Sequence, residues 1–192
     1  MPVLEGNKNS KVLVVGCFHG DEPQGKYLIE EYLKENSDTR IMFIPCLNEC
    51  GYNRNCRTNS NGVDLNRNFP TKNWVLGEKN DYYGGEKPAS EEETKFIINV
   101  IEQYKPKLIL SLHAPYKVVN YDGDAREISE KISEIIGYPV EESIGYPTPG
   151  SFGTWAGIER KIPTITLELD ENINVEQLKE PVFKIFKLLE EE

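Results

Sequence analysis

Short apolar runs alternate with helix-patterned stretches along most of this chain, and that alternation restricts its possible folds more than any other feature. Lys11–Cys17 (KVLVVGC), Arg40–Cys46 (RIMFIPC), Lys107–His113 (KLILSLH) and Pro163–Leu169 (PTITLEL) are rich in branched side chains and too short for typical helices, so they read as buried strands. Glu22–Asn36 places Tyr27, Leu28, Ile29, Tyr32 and Leu33 at helical spacing. Ser90-Glu91-Glu92-Glu93 matches a capping box, with Ser90 as N-cap and Glu93 at N3, and Phe96, Ile97, Val100 and Ile101 then share one helix face. Ala125–Ile136 is amphipathic, and Val175–Leu189 reads as a closing helix. Strands joined by helical crossovers pair in parallel and need cover on both faces. The expected fold is α/β: a mixed, largely parallel sheet with helices on both faces. The 192 residues suit a single domain, 1–192.

A net charge of −10 argues against a broad nucleic-acid or anionic-membrane surface, while leaving room for a local basic pocket. Met1–Ser10 is polar and lacks the apolar core of a signal peptide, and the run Val12–Phe18 is far too short to span a bilayer. The expected location is therefore cytoplasmic. In that compartment Cys17, Cys46, Cys50 and Cys56 are expected to be reduced thiols. Only Cys46 and Cys50 approach the Cys-x2–4-Cys pairing of a structural zinc site, and the fourth ligand is lacking.

Open sheets of this kind bind ligands at the carboxyl ends of their strands. His19 follows the first predicted strand, His113 closes the third, and Glu168 lies near the end of the fourth, so one sheet edge collects three chemically capable groups. His19 and His113 are the chain's two histidines. In His19-Gly20-Asp21-Glu22 the His-x-x-Glu spacing holds an imidazole and a carboxylate within one turn of chain. With His113 they make a His2Glu set, a zinc ligand set that leaves a fourth position open for water. The irregular stretch from Glu49 to Gly85 is long enough to suggest a functional loop. It contains Asn61-Gly-Val-Asp-Leu-Asn-Arg-Asn-Phe-Pro70, and an Asx-rich turn explains its asparagines but not Arg67. Arg67 and the nearby Arg57 could hold a substrate carboxylate and a developing oxyanion, because guanidinium forks match such groups.

His19-x-x-Glu22, the ten-residue motif 61–70, Ser111-Leu-His113 and Glu168 together resemble the zinc carboxypeptidase family, peptidase family M14, over most of the chain from Lys11 to Leu169. Short length and the stretch Gly145-Tyr-Pro-Thr-Pro-Gly-Ser-Phe-Gly-Thr-Trp155 are similar to its bacterial murein peptide amidase branch, which cleaves γ-D-glutamyl–diaminopimelate bonds of murein peptides during wall recycling. The resemblance implies one zinc per chain on His19, Glu22 and His113, with Asp64 orienting the first histidine. It implies Glu168 as general base and acid, and Arg57, or less well Arg54, as the oxyanion arginine. Asn66 and Arg67 would clamp the free terminal carboxylate of a small peptide substrate. Tyr146 would cover the substrate, and Gly153 would occupy the side-chain specificity position, leaving room without supplying charge. An N-acyl amino acid deacylase of the aspartoacylase or succinylglutamate desuccinylase type shares His-x-x-Glu and Asp-Leu-Asn-Arg and is the alternative. The Asn-Arg-Asn-Phe-Pro ending and the Gly-Ser-Phe-Gly-Thr-Trp stretch favour the peptidase.

Overall fold

The computed structural model of the chain describes residues 1–142 and 145–192. Its strands are β1 (Glu5–Gly6), β2 (Val12–Gly16), β3 (Met42–Ile44), β4 (Leu108–His113), β5 (Val118–Asp122), β6 (Val140–Glu141) and β7 (Thr164–Glu168). Its α-helices are α1 (Gln24–Glu35), α2 (Glu49–Arg54), α3 (Glu92–Tyr104), α4 (Arg126–Ile136) and α5 (Glu176–Leu189). A 3-10 turn at Leu65–Arg67 and a π-helical segment at Thr154–Glu159 complete the described elements. The strands form one sheet in the order β1-β3-β2-β4-β7-β5-β6. The central four, β3, β2, β4 and β7, are parallel, while β1 and β5 run antiparallel to their neighbours β3 and β7.

Alternation along the strands divides the interior in two. Val12, Val14, Leu110, Leu112, Ile165 and Leu167 point to the face covered by α1, α4 and α5. Leu13, Val15, Met42, Ile44 and Ile109 point to the other face, where Ile97, Val100 and Ile101 of α3 pack beside Phe18, Phe69, Phe152 and Trp155. Helices therefore cover both faces, as the alternating pattern requires. The predicted strands at 11–17, 40–46, 107–113 and 163–169 correspond to β2, β3, β4 and β7.

Two expectations need correction. The sheet contains β1, β5 and β6 beyond the four runs that the pattern reveals. β5 matters most, since it pairs directly with β7 and extends the sheet beside the strand that ends in Glu168. Ser90 does not cap α3, whose N-cap is Glu91 without a side-chain bond. The distant Asn68 intervenes: its Nδ2 donates to Ser90 Oγ at 2.9 Å, and its Oδ1 accepts from the Glu91 amide at 3.2 Å. Ser90 Oγ in turn donates to the Glu91 carboxylate at 2.6 Å.

The strand order also fixes where a ligand can bind. From β2 the chain crosses through α1 to β3 on one side, while β4 lies on the other. The sheet's direction of winding thus reverses between β2 and β4, and a crevice opens at their carboxyl ends. His19 follows β2 by three residues and His113 is the last residue of β4.

Candidate metal centre and active site

On the α3 face, side chains change from apolar to polar across the sheet. The rows that begin with Leu13, Val15 and Ile109 continue as Ser111 and His113 on β4, Thr166 and Glu168 on β7, and Asn120 and Asp122 on β5. His113 pairs in register with Glu168, and Thr166 pairs with both Ser111 and Asn120. His113, Asn120, Asp122, Thr166 and Glu168 floor a cavity of about 320 Å³, whose lining also includes His19, Glu22, Arg57, Asn66, Arg67, Tyr146 and Gly153.

One donor atom from each of His19, Glu22 and His113 lies within 4.8 Å of the other two. His19 Nδ1 is 2.7 Å from Glu22 Oε1, and His113 Nδ1 is 3.0 Å from Glu22 Oε2. The Ala114 amide donates to Glu22 Oε2 at 3.3 Å and helps aim it. The other nitrogen of His19, Nε2, lies 3.1 Å from Asp64 Oδ1. Asp64 accepts from the Asn66 amide at 2.8 Å and takes a two-pronged bond from Arg57, at 3.1 Å from Nε and 2.8 Å from Nη2. Each charge in this cluster has a partner, as buried charges require.

Electrostatics shows what the cluster is built to hold. Burial disfavours the His19 imidazolium, yet Glu22 and Asp64 outweigh it and carry its pKa up to about 9. Burial also works against ionised Glu22 and Asp64, but His19 and its neighbours hold both well below the usual carboxylate range. The pocket therefore attracts positive charge at His19 Nδ1. Zinc ligands at about 2.0–2.1 Å in a tetrahedron stand roughly 3.3 Å apart. Donor type, spacing and charge all fit a divalent zinc ion, with the imidazole neutral and Nδ1 turned to the metal.

Apolar packing holds this geometry from behind. Phe18 stacks on His113 with centroids 5.2 Å apart, and His19 meets His113 edge-on at 5.0 Å. Glu168, 7% exposed, leaves its Oε2 without a hydrogen-bond partner among the described residues. Burial raises its pKa, Glu22 adds to the rise, and His113 opposes it. A carboxyl poised in this way beside the donor cluster suits proton transfer.

The arginines separate clearly. Arg57 lines the cavity and reaches Asp64, whereas Arg54 is exposed at the end of α2 and lines no part of the cavity. Arg67 is buried, with Nη1 donating to Asn66 O at 2.7 Å, and Asn66 Oδ1 accepts from the Phe152 amide at 2.8 Å. Its loop is pressed against Gly150, where φ is 74° and any Cβ would collide with the Arg67 carbonyl. The Pro-Gly-Ser-Phe-Gly stretch thus has a mechanical role, since it backs the Arg67 turn. Tyr146 stands at the cavity mouth, 43% exposed. Nine of the ten site residues expected from the sequence line one cavity, and Asp64 supports it from just behind.

Sequence reasoning overlooked Asn120, Asp122 and Thr166 as cavity residues. Their signal was present in Val-Val-Asn-Tyr-Asp, where Val119 and Tyr121 face the core while Asn120 and Asp122 face the cavity side.

Comparison with known proteins gives a consistent result. The profile of the family described as zinc carboxypeptidase, Peptidase M14, matches residues 3–149. Murein peptide amidase A of Escherichia coli strain K12 is 30% identical over 202 residues, covering 98% of this chain and 82% of that protein. Its namesake from Vibrio campbellii is 33% identical over 183 residues, covering 84% and 70%. The crystal structure of murein-tripeptide amidase from Escherichia coli O157 superimposes with a TM-score of 0.83 at 31% identity, covering 96% of this chain and 82% of that one.

Proposed function

Since the chain belongs to the zinc carboxypeptidase family and is a zinc-dependent hydrolase, we propose that it releases the terminal residue of small murein peptides, at a γ-D-glutamyl–diamino acid bond. The observation that carries this reading is the meeting, in one cavity, of the His19–Glu22–His113 donor set, the Glu168 carboxyl with its bare Oε2, Arg57 and Arg67. Relatives named murein peptide amidase A match 98% and 84% of the chain, which supports this reading over the N-acyl amino acid deacylase alternative. No described helix is long and apolar enough to cross a membrane. The proposal places the enzyme in the cytoplasm, acting on peptides recovered from the cell wall.

His19, Glu22 and His113 would hold one zinc ion per chain. Zinc bound there supplies Lewis acidity toward the scissile carbonyl and makes water nucleophilic near neutral pH. The residues around it divide the remaining work. Asp64 accepts from His19 Nε2 and thereby keeps Nδ1 aimed at the donor cluster. Arg67, steadied on the Asn66 carbonyl, clamps the substrate's terminal carboxylate, with Asn66 beside it. Arg57 stabilises charge developing on the carbonyl oxygen. Glu168 takes a proton from the attacking water and returns it to the leaving amine, a role suited to its raised pKa. Tyr146 at the mouth closes over the bound peptide.

The test is incubation of zinc-loaded protein with a panel: a γ-D-glutamyl–meso-diaminopimelate peptide, its lysine counterpart, an α-linked peptide and an N-acyl amino acid. Mass spectrometry should find the C-terminal diamino acid released from the γ-linked peptides. Cleavage confined to the N-acyl amino acid would overturn the reading.

A further inference from the structure

Tyr82, from the irregular stretch between α2 and α3, also lines the cavity, and the proposed chemistry gives it no role. Its ring lies over the guanidinium of Arg57, whose Cζ is 4.9 Å from the ring centroid. That separation is within the range of a cation–π contact. Tyr82 is 59% exposed, so burial in the core does not account for its place. The backbone beside it does. The Tyr83 carbonyl accepts from the Asp64 amide at 2.8 Å, and the Gly84 carbonyl accepts from Asn68 Nδ2 at 2.7 Å. A Cβ at Gly84 would strike the Arg67 carbonyl, so glycine lets this segment lie against the motif. On the other side, the Tyr82 amide donates to Asn80 Oδ1 at 2.8 Å. Tyr82 is thus carried by the same motif that supplies Asp64 and Arg67.

Arg57 needs such a neighbour. Its backbone is pinned, since its carbonyl accepts from the Gly20 amide at 3.4 Å and from Asn48 Nδ2 at 3.1 Å. Its head group is held at one edge, where Nε and Nη2 both donate to Asp64 Oδ2. Two bonds to a single oxygen fix that edge of the planar group but leave it free to tilt about the edge. The nitrogen not committed to Asp64 is Nη1. It turns toward the donor cluster, 3.4 Å from His19 Nδ1 and 3.8 Å from Glu22 Oε1. A tilt would swing Nη1 away from the cavity while the Asp64 bonds survived. A ring packed on one face of the plane opposes that tilt. It also keeps water from that face, where solvent would weaken the guanidinium's field.

We propose that Tyr82 is a positioning residue for Arg57: its ring covers one face of the guanidinium and keeps Nη1 turned into the cavity, toward the carbonyl oxygen on which charge develops. Tyr82 acts through Arg57 and not through its own hydroxyl, so an aromatic ring is what the position requires. The inference rests on the role given to Arg57 under the proposed function, and it adds to that role the residue that holds Arg57 in place. Charge on the carbonyl oxygen develops only in the transition state. Loss of the ring should therefore lower kcat and leave KM nearly unchanged.

The experiment compares wild type with Tyr82→Phe and Tyr82→Leu on the γ-D-glutamyl peptides, and repeats both substitutions in an Arg57→Gln background, which removes the cation but keeps an N–H donor for Asp64. Tyr82→Leu should lower kcat by about 3- to 30-fold, the equivalent of one cation–π contact, with KM changed by less than about twofold. Tyr82→Phe should stay within about twofold of wild type, since it keeps the ring. In the Arg57→Gln background neither substitution should lower kcat further. A rise in KM that persists without Arg57 makes Tyr82 a direct substrate contact and overturns the proposal. A kcat loss as large in Tyr82→Phe as in Tyr82→Leu assigns the effect to the hydroxyl and overturns it too. Zinc content and melting temperature should match wild type, and a fall in either that accounts for the kcat loss makes the role structural and overturns it. Hydrogen exchange of the Arg57 Nε–H, followed by NMR on the zinc-loaded protein, gives a readout without turnover. It should be at least about threefold faster in Tyr82→Leu and unchanged in Tyr82→Phe. Unchanged exchange in Tyr82→Leu overturns the hold on Arg57. If wild type cleaves none of the peptides, the peptidase reading fails, while the exchange rates still decide whether Tyr82 holds Arg57.

Discussion

The two walls of the cavity solve opposite problems. On the metal wall, Glu22, Asp64, His19, His113 and Arg57 pair with one another in a closed set of contacts between 2.7 and 3.8 Å. Across the rest of the cavity, on the β7 and β5 side, Asp122 has no described partner and Glu168 keeps Oε2 bare. The saturated wall is preorganised, so little reorganisation is needed when charge develops. The bare wall carries desolvated carboxylates whose partners must arrive with the substrate and the reaction. Stability has been concentrated on one side, and unmet chemistry on the other.

The hardest blow to the first wall is removal of a donor. His113→Ala deletes one of three proposed ligands and takes away the imidazole partner of Glu22 Oε2. Zinc content should fall below about half an equivalent, against about one for wild type, and turnover should be abolished, since the open catalytic site depends on three protein ligands. Elemental analysis beside the peptide assay checks this. A variant that retained a full equivalent of zinc would take His113 out of the donor set.

The bare wall should respond differently. Glu168→Gln preserves size and polarity but removes proton transfer, and it breaks no described side-chain contact at Oε2. Positioned acid–base groups contribute about 10²–10⁴-fold, so kcat should drop by at least about 100-fold with zinc content and melting temperature near wild type. Retained activity would move the base elsewhere, and lost zinc would place Glu168 on the metal wall instead.

This contrast also explains what the sequence made legible. The metal wall is written in short-range order: His19 and Glu22 are three residues apart, and His113 ends a strongly apolar strand that its composition reveals, as Glu168 does on the neighbouring strand. Asp64, Asn66 and Arg67 sit in one ten-residue motif. The bare wall is written non-locally. β5 is five residues long, bounded by Lys117 and Gly123, and becomes a strand because β7 offers it an antiparallel edge. Its alternation was too short to stand out beside longer runs, so Asp122 went unseen. Gly153 lines the cavity, but the charge beside it comes from a residue 31 positions away, a pairing that only the packed sheet creates. Ser90 shows the same limit, since a local capping pattern gave way to Asn68, 22 residues earlier.

Arg67 joins the two walls, and its removal should have an intermediate effect. A lost charged hydrogen-bond partner corresponds to about 1.5–3 kcal/mol, or roughly 10- to 100-fold in KM, for substrates with a free terminal carboxylate. The same peptides amidated at the C-terminus should respond less to Arg67→Ala. Steady-state kinetics on the paired substrates checks it, and equal effects on both would remove Arg67 from the clamp.

The smallest expected effect lies behind the metal wall, at the cysteines. The hydrogen bonds Leu47 N to Gly16 O and Asn48 N to Cys17 O carry the β2–β3 pairing on past both strands, which brings Cys17 and Cys46 side by side in the core. Contact with Cys46 and burial push the Cys17 thiol well above its usual range, and its Sγ donates to the His19 carbonyl at 3.3 Å. A thiol held protonated and dry is a poor nucleophile and a poor metal ligand. Cys50 and Cys56 are half-buried, so an aromatic disulfide reagent should reach about two thiols in the native protein and about four after unfolding without reductant. Blocking the accessible pair should leave zinc content and turnover unchanged, because no contact of either residue reaches the donor set. Recovery of only two thiols after unfolding would mean a disulfide, and a loss of zinc on blocking would extend the saturated wall outward to include them.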